Sequence, residues 1–218
     1  MKPDSARSNQ VGRRRSPNAA AKADAAREKL LQAGDVLFNE RELGQVSVDE
    51  ITNAAGVAHG LLFHYFKSKM AFYAEVSRRA AQRLALVHQE RRPEPTADAK
   101  LAACLSRHMD VIVQRPASYK FHVRGSISNE VRAIWEASRH EFILLVLRDM
   151  YGVTNPKPHL VAAVRAWLGF FDEMVLAWID DRKIKKSGII MLSVQLFLDV
   201  LKHASILDES DVDDPEAT

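Results

Sequence analysis

Residues 30–76 read LLQAGDVLFNERELGQVSVDEITNAAGVAHGLLFHYFKSKMAFYAEV, and this stretch decides the fold. Its first apolar residues recur at helical spacing. Ser47–Glu50 then has the Ser-x-x-Glu pattern of a capping box, which predicts the start of a short helix. Gly56 ends that helix, and a second short apolar segment, Gly60–Phe66, follows the glycine turn. Helices arranged in this way are typical of a helix-turn-helix unit.

The rest of the chain is also predicted to be helical, because it shows no strand-like alternation of apolar and polar residues. We therefore predict an all-α protein of about nine helices. The predicted organisation is a disordered basic arm over 1–22, a helix-turn-helix domain over 23–70, a larger helical domain over 71–206 and a disordered acidic tail over 207–218.

The charges are distributed unevenly, although the net charge of the 218 residues is only +3. Residues 1–30 carry eight Lys and Arg against three acidic residues, whereas the last eleven residues carry six acidic residues and no basic one. A basic leader with an acidic tail indicates a polyanionic partner near the N-terminus. The three consecutive arginines at 13–15 are consistent with an arm that contacts phosphates or with a solvated, solubilising run.

Composition excludes several classes of protein. A single cysteine, Cys104, allows no internal disulfide and no thiolate-rich zinc site, as expected in a reduced cytoplasm. The longest apolar runs, such as Phe142–Leu147, are far shorter than the roughly 20 residues that span a bilayer. The sequence has no metal-ligand cluster, phosphate-binding loop or nucleophile motif. We therefore expect a soluble cytoplasmic protein without a catalytic site, cofactor or metal, and without a membrane partner.

The second helix of the predicted unit has the residues that a DNA-recognition segment needs. Ile51, Ala55 and Leu62 occupy positions that must pack the two helices together. The residues left to face the major groove of double-stranded DNA are His59, Gly60, Leu61, Phe63 and His64. Donors for phosphate contacts flank this segment, namely Ser47, Tyr65, Lys67 and Lys69. The histidines could instead be solvated surface residues, and the tyrosine ring could pack in the core while its hydroxyl contacts a phosphate.

The stretch resembles the N-terminal domain of the tetracycline-repressor (TetR) family of transcription regulators over about residues 24–76. The matching residues are Leu37-Phe38, Gly44, Ser47, Ile51, Ala54-Ala55-Gly56-Val57, Gly60, Leu62, Tyr65-Phe66 and Ser68-Lys69. The resemblance implies a homodimeric, ligand-responsive regulator. We expect a repressor that a small, mostly apolar effector releases from a palindromic operator. Two other hypotheses stay open: an enzyme in an all-α fold, and an architectural DNA-binding protein without sequence preference.

The sequence departs from the family pattern at four positions. Thr52 replaces an alanine, and Ala58 replaces a serine that would cap the next helix. Leu61 and Phe63 stand where the family has threonine and tyrosine. Because neither side chain can donate a hydrogen bond, we expect both to contact thymine methyl groups or sugars.

Two apolar helices near the C-terminus are predicted to form a dimer interface. The helix over 158–182 is apolar nearly all round, and the helix over 187–205 is similar. Such helices must be buried on more than one side. An interface of two helices from each subunit explains this and provides the two-fold symmetry that a palindrome requires. A large monomeric core is the alternative, and the resemblance favours the dimer.

The resemblance also implies an effector cavity among the middle helices. Aromatic residues and methionines are candidates for its wall, although such residues at helical spacing more often form an ordinary core. The candidates are Met109, Tyr119, His122, Trp135, Trp167, Phe170, Phe171 and Met174. The cavity is expected to take a sizeable, mostly apolar ligand.

Overall fold

The structure is a computed structural model that describes residues 17–90, 93–125 and 128–207. Within these residues the chain forms nine α-helices and no strand, so the all-α prediction is confirmed. The helices are α1 (Pro17–Glu40), α2 (Val48–Ala55), α3 (Gly60–Phe66), α4 (Lys69–Gln89), α5 (Ala97–Val113), α6 (Pro116–Arg124), α7 (Asn129–Leu145), α8 (Pro158–Asp180) and α9 (Lys186–His203). A π-helical turn, Val146–Met150, extends α7. The predicted acidic tail lies outside the described residues from position 208 onward.

Helix α1 begins earlier than the sequence predicts. Its first residue is Pro17, so residues 17–22, which we assigned to the basic arm, belong to this helix. Proline is tolerated in the first turn of a helix, and the alanine-rich run that follows favours helix formation. This leaves residues 1–16 for the predicted arm, and they lie outside the described residues.

Local sequence signals set the bounds of α2. The Ser47 hydroxyl accepts a hydrogen bond from the Glu50 backbone N–H at 3.1 Å, and the Glu50 carboxylate accepts one from the Ser47 N–H at 2.7 Å. This is the predicted capping box. Gly56 ends the helix with a φ of 62°, in the left-handed region that favours glycine. Because both signals act within a few residues, the helix begins and ends where the sequence predicts.

The first of two hydrophobic clusters, the N-terminal cluster, joins α1–α4 to one residue of α7. Its buried members are Leu30, Leu31, Phe38, Val46, Ile51, Ala55, Leu62, Phe66, Phe72, Tyr73, Ala74, Val76 and Val131. Gly34 of α1 lies so close to α4 that a Cβ atom there would be 2.5 Å from Cζ of Phe72. The beginning of α4 therefore belongs to the core of the helix-turn-helix unit, and packing is continuous across residue 70, where the sequence predicts a domain boundary.

The second cluster, the C-terminal cluster, is formed mainly by α5, α7, α8 and α9. Its buried members are Leu101, Cys104, Leu105, Met109, Ile112, Phe142, Ile143, Val146, Leu147, Val164, Trp167, Leu168, Phe171, Val175, Trp178, Ile189 and Phe197. The indole N–H of Trp167 in α8 donates to the carbonyl oxygen of Ser193 in α9 at 2.8 Å. This bond satisfies a buried polar group and ties the two apolar helices together.

The segment Lys186–Leu207 is long and apolar enough to cross a membrane, judged by length and composition alone. Its sequence did not suggest this, because charges such as Asp199 and Lys202 interrupt its apolar runs. Over an 18-residue window of this segment the mean hydropathy is nevertheless 1.5, and only 22% of that window is buried in the single chain. An apolar helix with an open face is also what a subunit interface requires.

Candidate DNA-binding surface and ligand cavity

Helix α3 has one buried face and one exposed face. Leu62 and Phe66 are buried in the N-terminal cluster, which fixes the rotation of the helix about its axis. The opposite face exposes four of the residues predicted to meet the groove, His59, Gly60, Phe63 and His64. A short helix anchored on one side and exposed on the other has the geometry of a recognition helix.

Leu61 and Tyr65 are half-buried and lie at the border between these two faces. Both pack against the N-terminal cluster, because the helical repeat places them beside its buried positions. The Tyr65 ring also lies 5.1 Å from the His64 ring. Leu61 therefore offers less surface to a groove than Phe63, whose exposed fraction is 43%.

His59 is tied to α2 at the beginning of α3. Its Nδ1 atom is 2.6 Å from Oδ1 of Asp49, and its ring centroid is 5.7 Å from that of Phe63. The pair fixes the imidazole beside Phe63, so the two rings form one exposed aromatic surface.

Ser47 and Lys69 lie at the beginnings of α2 and α4. The Ser47 backbone N–H and the Arg41 guanidinium hold the pKa of the Glu50 carboxyl at about 2, so the carboxylate in the capping box stays ionised. Ser68 caps α4, and the first turn of that helix contains no acidic residue. Because helix N-termini attract anions, a phosphate beside Lys69 would be favourable.

The connection between α3 and α4 is tight. Lys67 has a φ of 65°, in the left-handed region that residues other than glycine seldom adopt. Its backbone N–H donates to the Phe63 carbonyl oxygen at 3.0 Å, and the Ser68 N–H donates to the Phe66 carbonyl oxygen at 2.8 Å. A displacement of the beginning of α4 will therefore move α3 with it.

Two departures from the family pattern have local consequences. Thr52 is buried, and its hydroxyl donates to the Val48 carbonyl oxygen at 3.0 Å, so the added polar group is satisfied within α2. Ala58 has no hydroxyl, and α3 begins without a side-chain cap.

A cavity of about 90 Å³, the central cavity, lies among α4, α5, α6, α7 and α8. Its apolar wall includes Leu84, Ile112, Trp135, Phe142 and Leu168. Its polar wall includes Arg83, His88, His108, Arg115, Tyr119, His122, Arg139 and Asp172.

The structure places the eight predicted cavity residues in three different environments. Those that line the central cavity are Tyr119, His122 and Trp135. Those that belong to the core instead are Met109, Trp167 and Phe171, which are fully buried in the C-terminal cluster. Those that are half-buried on α8 and outside the cavity wall are Phe170 and Met174. Five of the eight therefore lie outside this cavity wall, and the sequence could not separate the groups because aromatic residues and methionines have the same helical spacing in a core and in a cavity wall.

Asp172 is a buried carboxylate in the cavity wall. It accepts a hydrogen bond from the Tyr119 hydroxyl at 2.6 Å and pairs with Arg139. Burial raises the pKa of Asp172 despite the opposing effect of the arginine. Burial and the neighbouring aspartate also raise the pKa of Tyr119, which therefore keeps its proton and stays a donor. These three side chains connect α6, α7 and α8.

Three histidines line the same cavity. His88 Nε2 is 2.7 Å from His108 Nδ1, and the two rings are stacked nearly parallel. The His122 ring lies 4.0 Å from the Trp135 ring. Burial lowers the pKa of His88 and His108 and lowers that of His122 to about 3, so all three are neutral at pH 7. His108 Nε2 and His122 Nδ1 are buried and have no hydrogen-bond partner among the described residues.

Ion pairs tie α1 to the elements around the central cavity. Arg83 Nη2 lies 2.5 Å from Oδ1 of Asp35, and Arg115 pairs with the same oxygen. Closer to the beginning of α1, the Glu28 carboxylate accepts hydrogen bonds from Arg79 at 2.9 and 2.7 Å. The first of these ion-pair groups borders the cavity, and the second lies outside its wall.

Sequence reasoning missed His88, Arg139 and Asp172 as cavity residues. One signal was available, because Asp172 is one of few charges in a helix that is otherwise apolar nearly all round. A buried charge needs partners and so marks a polar site. No comparable local signal identifies the other two, which lie on different helices.

The fold and its surfaces define a class of protein. Among residues 17–90, 93–125 and 128–207, no group of His, Cys, Asp or Glu side chains is arranged to hold a metal ion. A helix-turn-helix unit with an exposed α3 is joined to a helical region that encloses a cavity. This is the architecture of a helix-turn-helix DNA-binding protein with a ligand domain.

Comparisons with known proteins show which family the chain resembles. Residues 30–76 match the family described as bacterial regulatory proteins, tetR family. The chain is 24% identical over 191 residues to the HTH-type transcriptional activator FasR of Mycolicibacterium smegmatis, an alignment that covers 84% of this chain and 86% of FasR. It is 36% identical over 62 residues to the HTH-type transcriptional repressor KstR2 of the same organism, which covers 28% of this chain and 30% of KstR2.

A solved tetR-family transcriptional regulator from Streptomyces coelicolor has a similar fold. It is 26% identical with a TM-score of 0.75, and the superposition covers 85% of this chain and 84% of that one. Residues 30–76 thus match the DNA-binding domain of the TetR family, and over most of its length the chain is similar to transcriptional regulators. Proteins of this family are DNA-binding, ligand-responsive regulators and not enzymes.

Proposed function

We propose that the protein is a homodimeric repressor that binds a palindromic operator and is released by a small, mostly apolar effector in the central cavity. The observation that carries this proposal is the exposed face of α3 in a helix-turn-helix unit of the tetR type. We also propose that the protein acts in the cytoplasm, with residues 23–70 as the DNA-binding domain and 71–206 as the effector and dimer domain.

The DNA contacts divide into two groups. His59, which directly precedes α3, and Gly60, Phe63 and His64 on α3 are exposed and are assigned to base edges and sugars, with Leu61 at the border of that surface. Ser47, Tyr65 and Lys69 flank the helix and are assigned to phosphates. The first group sets sequence preference, and the second sets orientation and overall affinity.

The dimer interface is assigned to residues 158–182 and 187–205. Two observations support it: α8 and α9 pack on each other, and large apolar side chains of α9 are exposed to solvent. Met191 and Leu192 are 73% and 50% exposed. One face of α8 exposes the small residues Ala162, Ala166 and Ala177, which would let a second helix pack closely. A two-fold axis there would supply the two α3 helices that the half-sites of a palindromic operator require, about 34–36 Å apart.

The size of the central cavity supports a mechanism by which the effector releases the protein from DNA. Its volume of about 90 Å³ is well below the 300–1,000 Å³ of typical ligand sites, so a ligand must push its walls apart. Helix α4 forms part of the wall and is joined to α3 through the tight Lys67 turn. Displacement of α4 would therefore change the separation of the two recognition helices. By reciprocity, the DNA complex would bind the effector less tightly than the free protein does.

Selection of bound fragments from random duplex DNA at about 150 mM salt tests this function. We expect a palindromic consensus with half-sites one helical turn apart. Phe63→Ala should alter the consensus, whereas Val36→Ala, which removes an exposed apolar side chain on α1, should leave it unchanged. Equal recovery of all duplexes would contradict the proposal and favour an architectural DNA-binding protein.

The sign of regulation is tested with the selected operator cloned upstream of a reporter gene. A repressor lowers reporter expression, and the effector restores it. Increased expression on binding would instead indicate an activator, as FasR is named.

A further inference from the structure

The central cavity adjoins a second, smaller cavity that reaches toward the DNA-binding unit. The second cavity, of about 20 Å³, borders Asp35 of α1 and three residues of the N-terminal cluster, Phe38, Tyr73 and Val76. The residues that line both cavities are Ala80, Arg115, Ser118, His122 and Trp135. One layer of side chains therefore separates the ligand cavity from the core that supports α3.

Asp35 is held across this layer by two arginines of the ligand region. Arg83 of α4 and Arg115, which precedes α6, both bind its Oδ1 atom, and both also line the central cavity. Burial raises the pKa of Asp35, but the hydrogen bonds and charges of the two arginines outweigh this and lower it overall. The carboxylate is therefore ionised at neutral pH and joins α1 to two elements of the cavity wall.

The charges around the central cavity are complementary to an anion. Three arginines, Arg83, Arg115 and Arg139, line it together with one carboxylate, Asp172. Arg139 has its partner inside the cavity in Asp172, whereas the partner of the other two arginines, Asp35, is outside that cavity wall. A ligand in the cavity thus meets two guanidinium groups whose ion-pair partner is a residue of α1.

We propose that the effector has an apolar body and an anionic head, and that the head takes Arg83 and Arg115 from Asp35 when the ligand binds. The inference rests on the proposed ligand-responsive function and specifies the ligand class and the regulatory contact. The anion replaces Asp35 as the partner of both guanidinium groups, so the arginines stay paired while α1 loses the ion pairs that Asp35 makes with Arg83 of α4 and with Arg115. Guanidinium groups bind carboxylates and phosphates with the same planar geometry, which makes this exchange chemically matched.

The exchange affects only the part of α1 around Asp35. The Glu28–Arg79 pair also joins α1 to α4, but neither residue lines the central cavity. Ligand binding therefore leaves that pair intact and releases the part of α1 closer to the helix-turn-helix, where Asp35 lies. The cavity walls and α1 can then move apart around the beginning of α4.

Ligand binding is measured on the full chain without DNA, by the fluorescence of Trp135 in the cavity wall. The probes are butanoate, hexanoate and octanoate, with octan-1-ol as the neutral analogue and octyl phosphate as a second anion. We expect octanoate to bind at least tenfold more tightly than octan-1-ol, and the fluorescence change to be absent in Trp135→Phe. Comparison of octanoate with octyl phosphate identifies the head group as carboxylate or phosphate. Equal affinity for octanoate and octan-1-ol, or no binding of either anion, would overturn the proposal.

Three variants test the exchange. Asp35→Asn removes the competitor and should increase anion affinity about threefold to tenfold, whereas Glu28→Gln is the matched control and should leave it unchanged. Arg115→Met keeps the length of the side chain and should lower anion affinity at least tenfold without changing the affinity for octan-1-ol. Circular dichroism confirms that each variant is folded, and Arg115→Lys, which keeps the charge, should restore part of the affinity. Equal anion affinities in Asp35→Asn and Glu28→Gln would overturn the proposed competition.

The two proposals fail in different ways. Anion-selective binding without a selectable operator would contradict the proposed repressor function but support the ligand site. A palindromic operator with a cavity that does not distinguish octanoate from octan-1-ol would contradict this inference and leave the DNA-binding function standing.

Discussion

The helix-turn-helix unit and the central cavity are built by different kinds of interaction. In the first, residues close in sequence determine the geometry: Ser47 caps α2, Gly56 ends it, and Lys67 turns the chain into α4. In the second, the wall combines residues from five helices that lie far apart in the sequence. A change in the DNA-binding unit should therefore act locally, whereas a change around the cavity should affect several helices at once.

The largest effect is expected for Trp167→Ala. This residue is fully buried and makes a hydrogen bond to α9, so its truncation should lower the free energy of unfolding by about 3–5 kcal/mol. Urea unfolding at a fixed protein concentration measures the loss. Trp135→Ala, on the cavity wall, is the comparison and should cost less because the Trp135 side chain is only half-buried. A greater loss at Trp135 than at Trp167 would reverse the assignment of these two residues to wall and core.

The second effect is a dependence of stability on pH that comes from the cavity. The pKa of His122 is lowered to about 3, against about 6.5 in an unfolded chain. Between these values the unfolded state binds a proton that the folded state does not, so stability is lost as the pH falls below about 6.5. The loss between pH 7 and pH 5 is about 2 kcal/mol for this residue.

Urea midpoints at pH 7 and pH 5 check this prediction. His122→Gln should reduce the difference between the two midpoints, while His64→Gln, at an exposed position of α3, should leave it as in the wild type. The prediction is contradicted if the two variants have the same pH dependence. The pH dependence of stability that remains in His122→Gln is assigned to His88 and His108, because burial also lowers their pKa values.

The third effect compares one helix cap in each region. Ser47 accepts a hydrogen bond from the Glu50 N–H, and Thr96, at the start of α5, accepts one from the Ala99 N–H at 3.1 Å. Replacement of either by alanine should cost about 1 kcal/mol of stability. Only Ser47→Ala should also weaken operator binding, because Ser47 lies on the proposed DNA surface. Equal operator affinities for the two variants would remove Ser47 from that surface.

The difference between the regions also explains what the sequence could predict. The bounds of α2, its cap and its glycine turn follow from short motifs, and the buried and exposed faces of α3 follow from helical spacing. The same spacing could not separate Trp135 from Trp167, because a cavity wall and a core differ only in what lies opposite each side chain. The start of α1 was missed for a related reason: an alanine-rich run after Pro17 has helix propensity but no apolar stripe to reveal it.

The smallest effect separates two kinds of DNA contact within the helix-turn-helix unit. Lys69 lies at the uncompensated N-terminus of α4, so Lys69→Ala should weaken binding to all DNA sequences alike and lower the slope of affinity against salt by about one. Leu61→Ala should leave that slope unchanged and shift sequence preference, by less than Phe63→Ala because Leu61 is half-buried. Titrations of the selected operator and a scrambled duplex at several salt concentrations measure both quantities. If the two variants behave alike in slope and in preference, a single surface carries both roles, and the division between phosphate and base contacts on α3 and α4 does not hold.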